Sequence, residues 1–423
     1  MLFLFATITS IILISAATIQ LIVARYFLGQ FGRKQVLRLP ADRQSGVAVL
    51  MCVRGCDPSL RLALISVLRQ EFAHYEVHVV VDHRSDAAWE VVHEVKREFD
   101  DQNRLSIHEL MAPRDSCGLK CSSLLQGLEQ ISEAIKFLVL LDSDVETHPT
   151  WIAELIGPLE HDPTIGLVTG NQWFEPPGGS TWGALVRSSW NAGALVPTII
   201  FGNPWAGTFA MRLSDVRAAE LALIWQKSVV DDGPLRSVMQ KLGLKIHFAP
   251  SLIMINHENC TFAYVNRWVT RMLTWSRIYE PTFFLSVLHA AFSNFVMVAV
   301  FAALIGGLLG SDIQSASIAG GGLLISGLLS VFAYLVVRSA VSQSCGLRNE
   351  QLPPMGTIRF IKLLLTVPLA QVIYGVSCLR SLFSQRVQWR EITYELSGNS
   401  TVKMLNYRPF VQTKEQVRSN VSI

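Results

Sequence analysis

The sequence predicts an α/β fold with a mostly parallel sheet, attached to membrane helices. Two observations lead to this fold class. Apolar runs of strand length alternate with helical segments between residues 40 and 280, which is typical of a parallel sheet covered by helices. Half of the 423 residues are hydrophobic and only 16% are charged, whereas soluble proteins carry about 25% charged residues. The apolar surplus lies in residues 1–30 and 283–380.

The N-terminal segment, residues 1–30, is predicted to be a transmembrane anchor. Residues 2–24 contain no charge, and about 20 apolar residues suffice to cross a bilayer. A cleaved signal peptide would have a shorter apolar core and a basic start. The positive residues follow the apolar run, so the positive-inside rule places the N-terminus outside and the following domain in the cytosol. These residues are Arg25, Arg33, Lys34 and Arg38.

The C-terminal membrane region is predicted over residues 283–384, with two to three helices. Stretches at about 283–309 and 317–337 are separated by Gly310-Ser311-Asp312, which predicts a helical hairpin. A third stretch at about 360–380 contains Pro368 and has basic residues on both flanks. It either spans the bilayer or lies in the interface. The interfacial or re-entrant arrangement is preferred, because it keeps the tail (385–423) cytosolic.

Charge and cysteine content limit the possible functions. A net charge of +3 without a long basic tract gives no reason to expect a nucleic-acid partner. The seven cysteines form no CxxC pair and no zinc-finger spacing. Their odd number and loose spacing favour reduced, mostly buried thiols in a cytosolic compartment.

Within the soluble domain (40–280), acidic residues follow two predicted strands. Strands are predicted at 47–53, 76–81, 105–110 and 137–141, with helices at 60–70, 87–99 and 120–135. Ligands of such sheets bind at the carboxyl ends of the strands. Asp82 and Asp142 lie at two of these ends, so a ligand site is predicted there.

The segment Asp142-Ser143-Asp144 has the chemistry of a divalent-cation site. Residues two apart on an extended chain point the same way, so both carboxylates could face one ion. Mg²⁺ and Mn²⁺ prefer oxygen ligands, and Mg²⁺ is often held by one or two carboxylates plus substrate phosphates. The ordinary alternative is an acidic turn. The position directly after a buried strand favours the ion site.

Two further acidic positions have a functional and an ordinary interpretation. Asp82 could bind the base or ribose of a nucleotide, or it could lie in a helix N-cap region, where Asp86 would serve equally well. In Asp231-Asp232, adjacent carboxylates disfavour double ionisation, so one pKa is expected to be raised. Asp232 could then act as a base near neutral pH, although an exposed helix N-terminus is the more common setting for such a pair.

Residues 262–280, which precede the helical hairpin, are predicted to form an interfacial helix. Arg267 could bind a diphosphate and Trp268 could stack on a sugar or acceptor; an aromatic belt at the membrane surface is the alternative. His257, upstream of this helix, could reach a metal ion, but a hydrogen-bonded loop residue is the more ordinary role.

In order, these motifs resemble the D, D, D, (Q/R)xxRW series of inverting GT-A glycosyltransferases, which have a Rossmann-like fold. Within that group the chain is most similar to the ceramide glucosyltransferase branch. This similarity rests on Arg54-Gly55-Cys56-Asp57-Pro58-Ser59-Leu60, on Val387-Gln388-Trp389-Arg390-Glu391-Ile392-Thr393-Tyr394 and on the single N-terminal anchor. Two positions depart from the family pattern: Tyr264 replaces Gln or Arg, and Asp231 replaces Glu.

The resemblance implies a role for each motif residue. Asp82 would bind the nucleotide, and Asp142 and Asp144 would bind Mg²⁺ or Mn²⁺ and the diphosphate. Asp232 would be the general base, and Lys120 would lie near the donor. Arg267 and Trp268 would lie on the acceptor and diphosphate side.

The predicted function is inverting transfer of a hexose, glucose in the first place, from a UDP-sugar to a hydroxyl of a membrane lipid such as ceramide. The alternatives are the same chemistry on diacylglycerol, a hopanoid or a polyprenyl lipid, and a processive polysaccharide synthase. A non-enzymatic membrane scaffold is disfavoured, because all the expected carboxylates are present. The catalytic domain is expected on the cytosolic side of a bacterial inner membrane or a Golgi/ER-type membrane.

Overall fold

The computed structural model describes residues 1–31, 45–176, 181–397 and 401–411. Two compact units are present. The sheet unit contains a seven-stranded sheet, its covering helices and a small C-terminal sheet. The apolar-helix unit contains the long apolar helices and the helices packed on them. Of the basic residues used to predict the N-terminal orientation, Arg33, Lys34 and Arg38 lie outside the described residues.

The seven-stranded sheet has the order β3-β2-β1-β4-β6-β5-β7. All neighbouring strands in it are parallel except at β6, which runs antiparallel to β4 and β5. The predicted mostly parallel sheet is therefore confirmed. Its strands are β1 (Val47–Val53), β2 (Tyr75–Val81), β3 (Leu105–Glu109), β4 (Phe137–Asp142), β5 (Ile165–Phe174), β6 (Thr208–Arg212) and β7 (Lys245–Asn256).

Helices cover both faces of this sheet. The central strands β1 and β4 are almost wholly buried, as expected for strands covered on both sides. The helices of the described chain are α1 (Leu2–Phe31), α2 (Leu60–Leu68), α3 (Ala87–Phe99), α4 (Leu119–Leu128), α5 (Trp151–His161), α6 (Trp182–Ile200), α7 (Leu213–Ala218), α8 (Leu221–Trp225), α9 (Leu235–Lys241), α10 (Phe262–Tyr279), α11 (Phe283–Leu309), α12 (Ile313–Gly346) and α13 (Thr357–Phe383). Helices α2, α3 and α5 contribute to one apolar cluster, and α4, α7, α8 and α9 to the other.

The strands and helices predicted between residues 47 and 141 agree closely with the observed ones, with one main difference. Helix α4 ends at Leu128, whereas the apolar spacing predicts a helix to residue 135. Ile131 and Ile135 still pack against the same cluster as α4, which explains the helical pattern. The chain turns instead, because the amide of Phe137 must reach the Gly46 carbonyl to start β4.

The N-terminus of α4 is held very close to the loop that precedes the acidic pair. The Gly118 amide donates to the Ser228 carbonyl oxygen at 2.8 Å. A Cβ on Gly118 would lie only 2.1 Å from the Val229 carbonyl oxygen, so a side chain there requires the backbone to shift. Glycine at this position therefore fixes the distance between α4 and the loop.

In the apolar-helix unit, α1, α11 and α12 pack on one another through small residues. A Cβ on Gly322 would lie 2.5 Å from the Ser10 hydroxyl oxygen, and one on Gly307 would lie 2.7 Å from the Ala316 nitrogen. Such close approach is common between membrane helices. Within the described ranges, four helices are long and apolar enough to cross a membrane: Leu2–Gly29, Phe283–Leu309, Ile313–Gly346 and Thr357–Phe383.

Helices α6, α10 and α13 share a second apolar cluster with the start of α11. Helix α6 is not predicted from the sequence. Helix α13 continues through Pro368, and its Gln371 side chain donates to the Ser293 hydroxyl at 2.5 Å. The 360–380 stretch is thus part of one continuous helix. That this helix lies in the interface and does not span the bilayer stays a prediction.

The C-terminal tail begins as an antiparallel three-stranded sheet that belongs to the sheet unit. Its strands are β8 (Arg386–Trp389), β9 (Ile392–Ser397) and β10 (Thr401–Leu405). The Leu119 amide donates to the Tyr394 hydroxyl at 3.2 Å, and the Met404 amide donates to the Asp115 carbonyl at 2.7 Å. The small sheet is thereby attached to the segment around the start of α4.

None of the seven cysteines, all of which lie in described ranges, forms a disulfide. Six are buried and Cys52 is partly buried. This arrangement agrees with the prediction of reduced, mostly buried thiols.

Candidate active site

Three loops meet at the carboxyl edge of the sheet. Strand β1 lies between β2 and β4, and all three are parallel. Asp82 follows β2, Asp142 is the last residue of β4, and Arg54 to Asp57 follow β1. The structure thus brings the predicted strand-end carboxylates to one edge.

Lys120 links two of the predicted acidic motifs. Its Nζ lies 2.5 Å from Asp142 Oδ1 and 3.0 Å from Asp231 Oδ2. Burial alone would lower the pKa of Lys120, but the carboxylates of Asp142 and Asp231 raise this pKa well above its ordinary value. The ammonium is therefore a fixed positive charge between the end of β4 and the acidic pair.

The two members of the acidic pair have different surroundings. Asp231 is 2% exposed and pairs with Lys120. Asp232 is partly exposed, and its Oδ2 accepts a hydrogen bond from the Ala206 amide at 3.0 Å. Burial and the charge of Asp231 raise the pKa of Asp232 to about 7. Asp232 is thus the member with the properties of a base at neutral pH.

Asp144 lies among negative charges. Burial and the carboxylates of Asp142, Asp57 and Glu258 raise the pKa of Asp144 to about 8. The side-chain amide of Asn256 lies 3.5 Å from Asp144 Oδ2. A carboxylate in these surroundings gains stability from any additional cation.

The carboxylates of Asp142 and Asp144 fit a divalent cation that also binds substrate phosphates. No group of three or more His, Cys, Asp or Glu side chains arranged for a metal occurs in the described ranges. Ions such as Mg²⁺ are commonly held by only one or two carboxylates plus phosphates. The carboxylates of Asp142, Asp57 and Glu258 produce a negative electrostatic potential at Asp144. A bound cation would offset this potential.

Asp82 is buried, and both of its carboxylate oxygens contact other residues of the chain. It forms an ion pair with Arg54, and its Oδ1 accepts from the Tyr407 hydroxyl at 2.8 Å. The Phe410 amide lies 3.4 Å from Oδ2. Asp82 does not cap α3, since Asp86 accepts from the Ala88 amide at 2.9 Å. The predicted nucleotide-binding role of Asp82 stays a prediction.

Arg267 and Trp268 lie on α10, in the apolar-helix unit. This helix begins at the Thr261 cap, whose hydroxyl accepts from the Tyr264 amide. Arg267 is exposed. The Trp268 ring packs edge-on against the Trp190 ring, with 5.1 Å between centroids. The predicted donor and acceptor roles of Arg267 and Trp268 stay predictions.

Sequence reasoning missed several residues around the predicted site. His257, for which a hydrogen-bonded loop role is the more ordinary expectation, has its Nδ1 2.8 Å from the Glu175 carbonyl oxygen. Its neighbours Asn256 and Glu258 both act on Asp144 and are not predicted from the sequence. Asn256 ends β7, so the strand-end rule that identified Asp142 applies to it as well.

Comparisons with known proteins identify the family. The sequence profile of glycosyl transferase family 21 matches residues 5–206 and 222–402, which is most of the chain. The chain belongs to glycosyl transferase family 21. The predicted resemblance to GT-A glycosyltransferases is confirmed, and the ceramide glucosyltransferase branch is consistent with this family.

Solved structures match the chain only at low similarity. The mannosyltransferase PcManGT from Pyrobaculum calidifontis, in complex with GDP-Man and Mn²⁺, is 14% identical with a TM-score of 0.47, and the match covers 89% of this chain and 99% of that one. Glucosyl-3-phosphoglycerate synthase from Mycobacterium tuberculosis is 16% identical with a TM-score of 0.38, and the match covers 57% of this chain and 83% of that one. No curated protein sequence matches the chain at a significant level. The assignment therefore rests on the family profile.

Replacing Lys120 by Gln is expected to destabilise the protein and to make its stability more dependent on a divalent cation. The change leaves Asp142 and Asp231 without their shared positive charge, which costs up to about 3 kcal/mol. The midpoint of thermal unfolding in detergent, measured with and without Mn²⁺, tests this. Mn²⁺ should raise the midpoint more in the variant than in the wild type.

Lys136→Gln is the matched control, because it removes an exposed ion pair with Glu160 worth at most about 1 kcal/mol. Equal midpoints for the Lys120 and Lys136 variants would show that Lys120 does not hold the acidic motifs together.

Proposed function

We propose that this glycosyltransferase transfers a hexose, glucose in the first place, from a UDP-sugar to a hydroxyl of a membrane lipid such as ceramide, with inversion. The observation that carries the proposal is the shared contact of Lys120 with Asp142 and Asp231. It brings the carboxylates suited to a divalent cation and the acidic pair that contains the base candidate to one edge of the sheet. Membership of family 21 supports sugar transfer.

On the donor side, Asp142 and Asp144 would hold Mg²⁺ or Mn²⁺. A bound divalent cation would offset the negative charge that develops on the leaving diphosphate. Asp82, which follows β2 and is separated from β4 by β1, would contact the nucleoside. The Arg54 and Tyr407 side chains contact Asp82 in this structure. When the nucleoside binds, they would either keep these contacts beside it or break them.

On the acceptor side, Asp232 is the proposed base. The acceptor oxygen attacks the anomeric carbon as the bond from that carbon to the UDP oxygen breaks, and the hydroxyl proton passes to the Asp232 carboxylate. The Ala206 amide holds Oδ2 of this carboxylate, which orients the side chain. A single displacement of this kind inverts the configuration at the anomeric carbon.

The apolar helices favour a lipid acceptor. Four helices of the described part of the chain could cross a membrane, and a soluble acceptor gives no reason for a second membrane region. Arg267 and Trp268 on α10 are proposed to lie on the acceptor and diphosphate side. Tyr264 replaces the Gln or Arg of the family pattern, so we infer that diphosphate binding here relies more on Arg267.

The chain connectivity supports an interfacial position for α13. The chain leaves the sheet unit after β7 and returns to it at Ser384. A sheet unit that lies wholly on one side of the membrane, as we propose, requires an even number of crossings in the segment between. Helices α11 and α12 account for two crossings. Helix α13 packs in the same cluster as α10 and α6. We therefore propose three spanning helices, α1, α11 and α12, with the sheet unit in the cytosol.

Single cysteines placed at exposed positions test this arrangement. Gln351→Cys, between α12 and α13, and Thr401→Cys, in β10, should react with a membrane-impermeant maleimide from the same, cytosolic side. Ser311→Cys, between α11 and α12, should react only from the opposite side. Labelling of positions 351 and 401 from opposite sides would mean that α13 crosses the membrane.

Replacing Asp232 by Asn should lower kcat by about 10²–10⁴-fold, the usual contribution of a general base, while the Kd for UDP-glucose stays near the wild-type value. In the wild type, kcat/KM should fall as the pH drops below about 7, because the Asp232 carboxylate becomes protonated. Transfer of labelled glucose to lipid and calorimetric donor binding provide the two readouts.

Asp101→Asn, an exposed loop change, is the control and should behave as the wild type. Near-normal turnover in the Asp232 variant would rule out Asp232 as the base.

A further inference from the structure

The turn between β8 and β9 has an unusual backbone for its sequence. Trp389 pairs with Ile392, so Arg390 and Glu391 form a two-residue hairpin turn. Both have positive φ angles, 42° and 68°. Such turns favour Asn-Gly, and an ordinary residue in the left-handed region costs roughly 1–2 kcal/mol. Strained residues persist where surrounding contacts hold them, often at functional sites.

The contacts that hold this turn are made by the Arg390 guanidinium. Its Nη2 lies 2.6 Å from Asp57 Oδ1 and 2.7 Å from Asp57 Oδ2. Its Nη1 donates to the Arg54 carbonyl oxygen. The side chains of Arg390 and Asp57 are only 12% and 4% exposed. The turn thus inserts a positive charge beside the loop that follows β1.

Asp57 connects this guanidinium to the predicted cation loop. The buried Ser143 hydroxyl donates to Asp57 Oδ2 at 2.9 Å. Ser143 is the residue between Asp142 and Asp144, so its position fixes where the backbone presents both carboxylates. A continuous chain of hydrogen bonds therefore runs from Arg390 through Asp57 to Ser143.

The charges in this region make the guanidinium necessary. Asp57 and Glu258 both act electrostatically on Asp144, as does the positive charge of Arg390. Without Arg390, Asp57 would be a buried carboxylate whose one remaining side-chain partner in the described ranges is the Ser143 hydroxyl. Its repulsion of Asp144 would then displace the loop that Ser143 anchors.

We propose that Arg390 is a positioning residue for the divalent-cation loop and acts through Asp57 and Ser143. This inference rests on the proposed function, in which Asp142 and Asp144 bind the cation. Residues that orient metal ligands typically contribute about 10- to 100-fold to metal affinity. A lysine at position 390 could pair with Asp57 but could not also donate to the Arg54 carbonyl from a second nitrogen.

Direct measurement of Mn²⁺ binding tests the proposal. The full chain in detergent is titrated with Mn²⁺, alone and with UDP, and free Mn²⁺ is followed by electron paramagnetic resonance. Arg390→Gln should raise the Kd for Mn²⁺ about 10- to 100-fold, and Arg390→Lys should give an intermediate value. In transfer assays, saturating Mn²⁺ should restore most of the lost kcat in Arg390→Gln, because the proposed role of Arg390 is to raise the affinity for the cation.

Ser143→Ala removes the connection without changing charge and should also weaken Mn²⁺ binding. Combined with Arg390→Gln, its effect should be less than additive, because both changes interrupt one chain of contacts. Arg386→Gln is the matched control on the same hairpin; it removes only an exposed pair with Glu395 and should leave the Kd unchanged.

Asp142→Asn separates the two hypotheses. If this variant loses Mn²⁺ binding while Arg390→Lys and Ser143→Ala bind Mn²⁺ as the wild type does, the positioning role of Arg390 is wrong and the cation site stands. If Asp142→Asn itself binds Mn²⁺ normally, the proposed cation site is wrong, and the role of Arg390 is overturned with it.

Discussion

The contact of the Lys120 ammonium with Asp142 and Asp231 holds the candidate site together. Asp142 ends the central strand β4, and Asp231 lies in a loop far along the chain, so their carboxylates would repel each other without a shared cation. Lys120 reaches both because α4 starts directly after Gly118, where the absence of a side chain allows the chain to touch the Val229 carbonyl. One glycine and one lysine thus set the geometry at this edge of the sheet.

The carboxylates at this edge fall into two classes. Asp57, Asp82, Asp142 and Asp231 each contact a cation from the chain, namely Arg390, Arg54 or Lys120. Within the described ranges Asp144 and Asp232 have no such ion pair, and their pKa values are the ones raised to about 8 and about 7. The protein therefore neutralises the carboxylates that shape the site. Within the described ranges, it leaves without a cationic partner the two carboxyl groups at which we propose that a cation binds and a proton is taken up.

Local patterns predicted the part of this site that depends on strand ends. Apolar runs located β2 and β4, and therefore Asp82 and Asp142, because a buried parallel strand needs nothing but its own apolar residues to be recognised. The Arg390–Asp57 contact joins residues 333 positions apart, and no local periodicity encodes such a pairing. Helix α6 was missed for a related reason: its buried face packs on α10 and α13, which are distant in the chain.

The stereochemistry of the product tests the central claim most directly. The chain is expressed in a host that lacks glycolipids, the lipids are extracted, and the configuration at the sugar's anomeric carbon is determined by nuclear magnetic resonance. Since UDP-glucose carries an α-linked sugar, a single displacement assisted by Asp232 predicts a β-linked glucosyl lipid. An α-linked product would contradict the single displacement, and the absence of any new glycolipid would contradict the lipid acceptor.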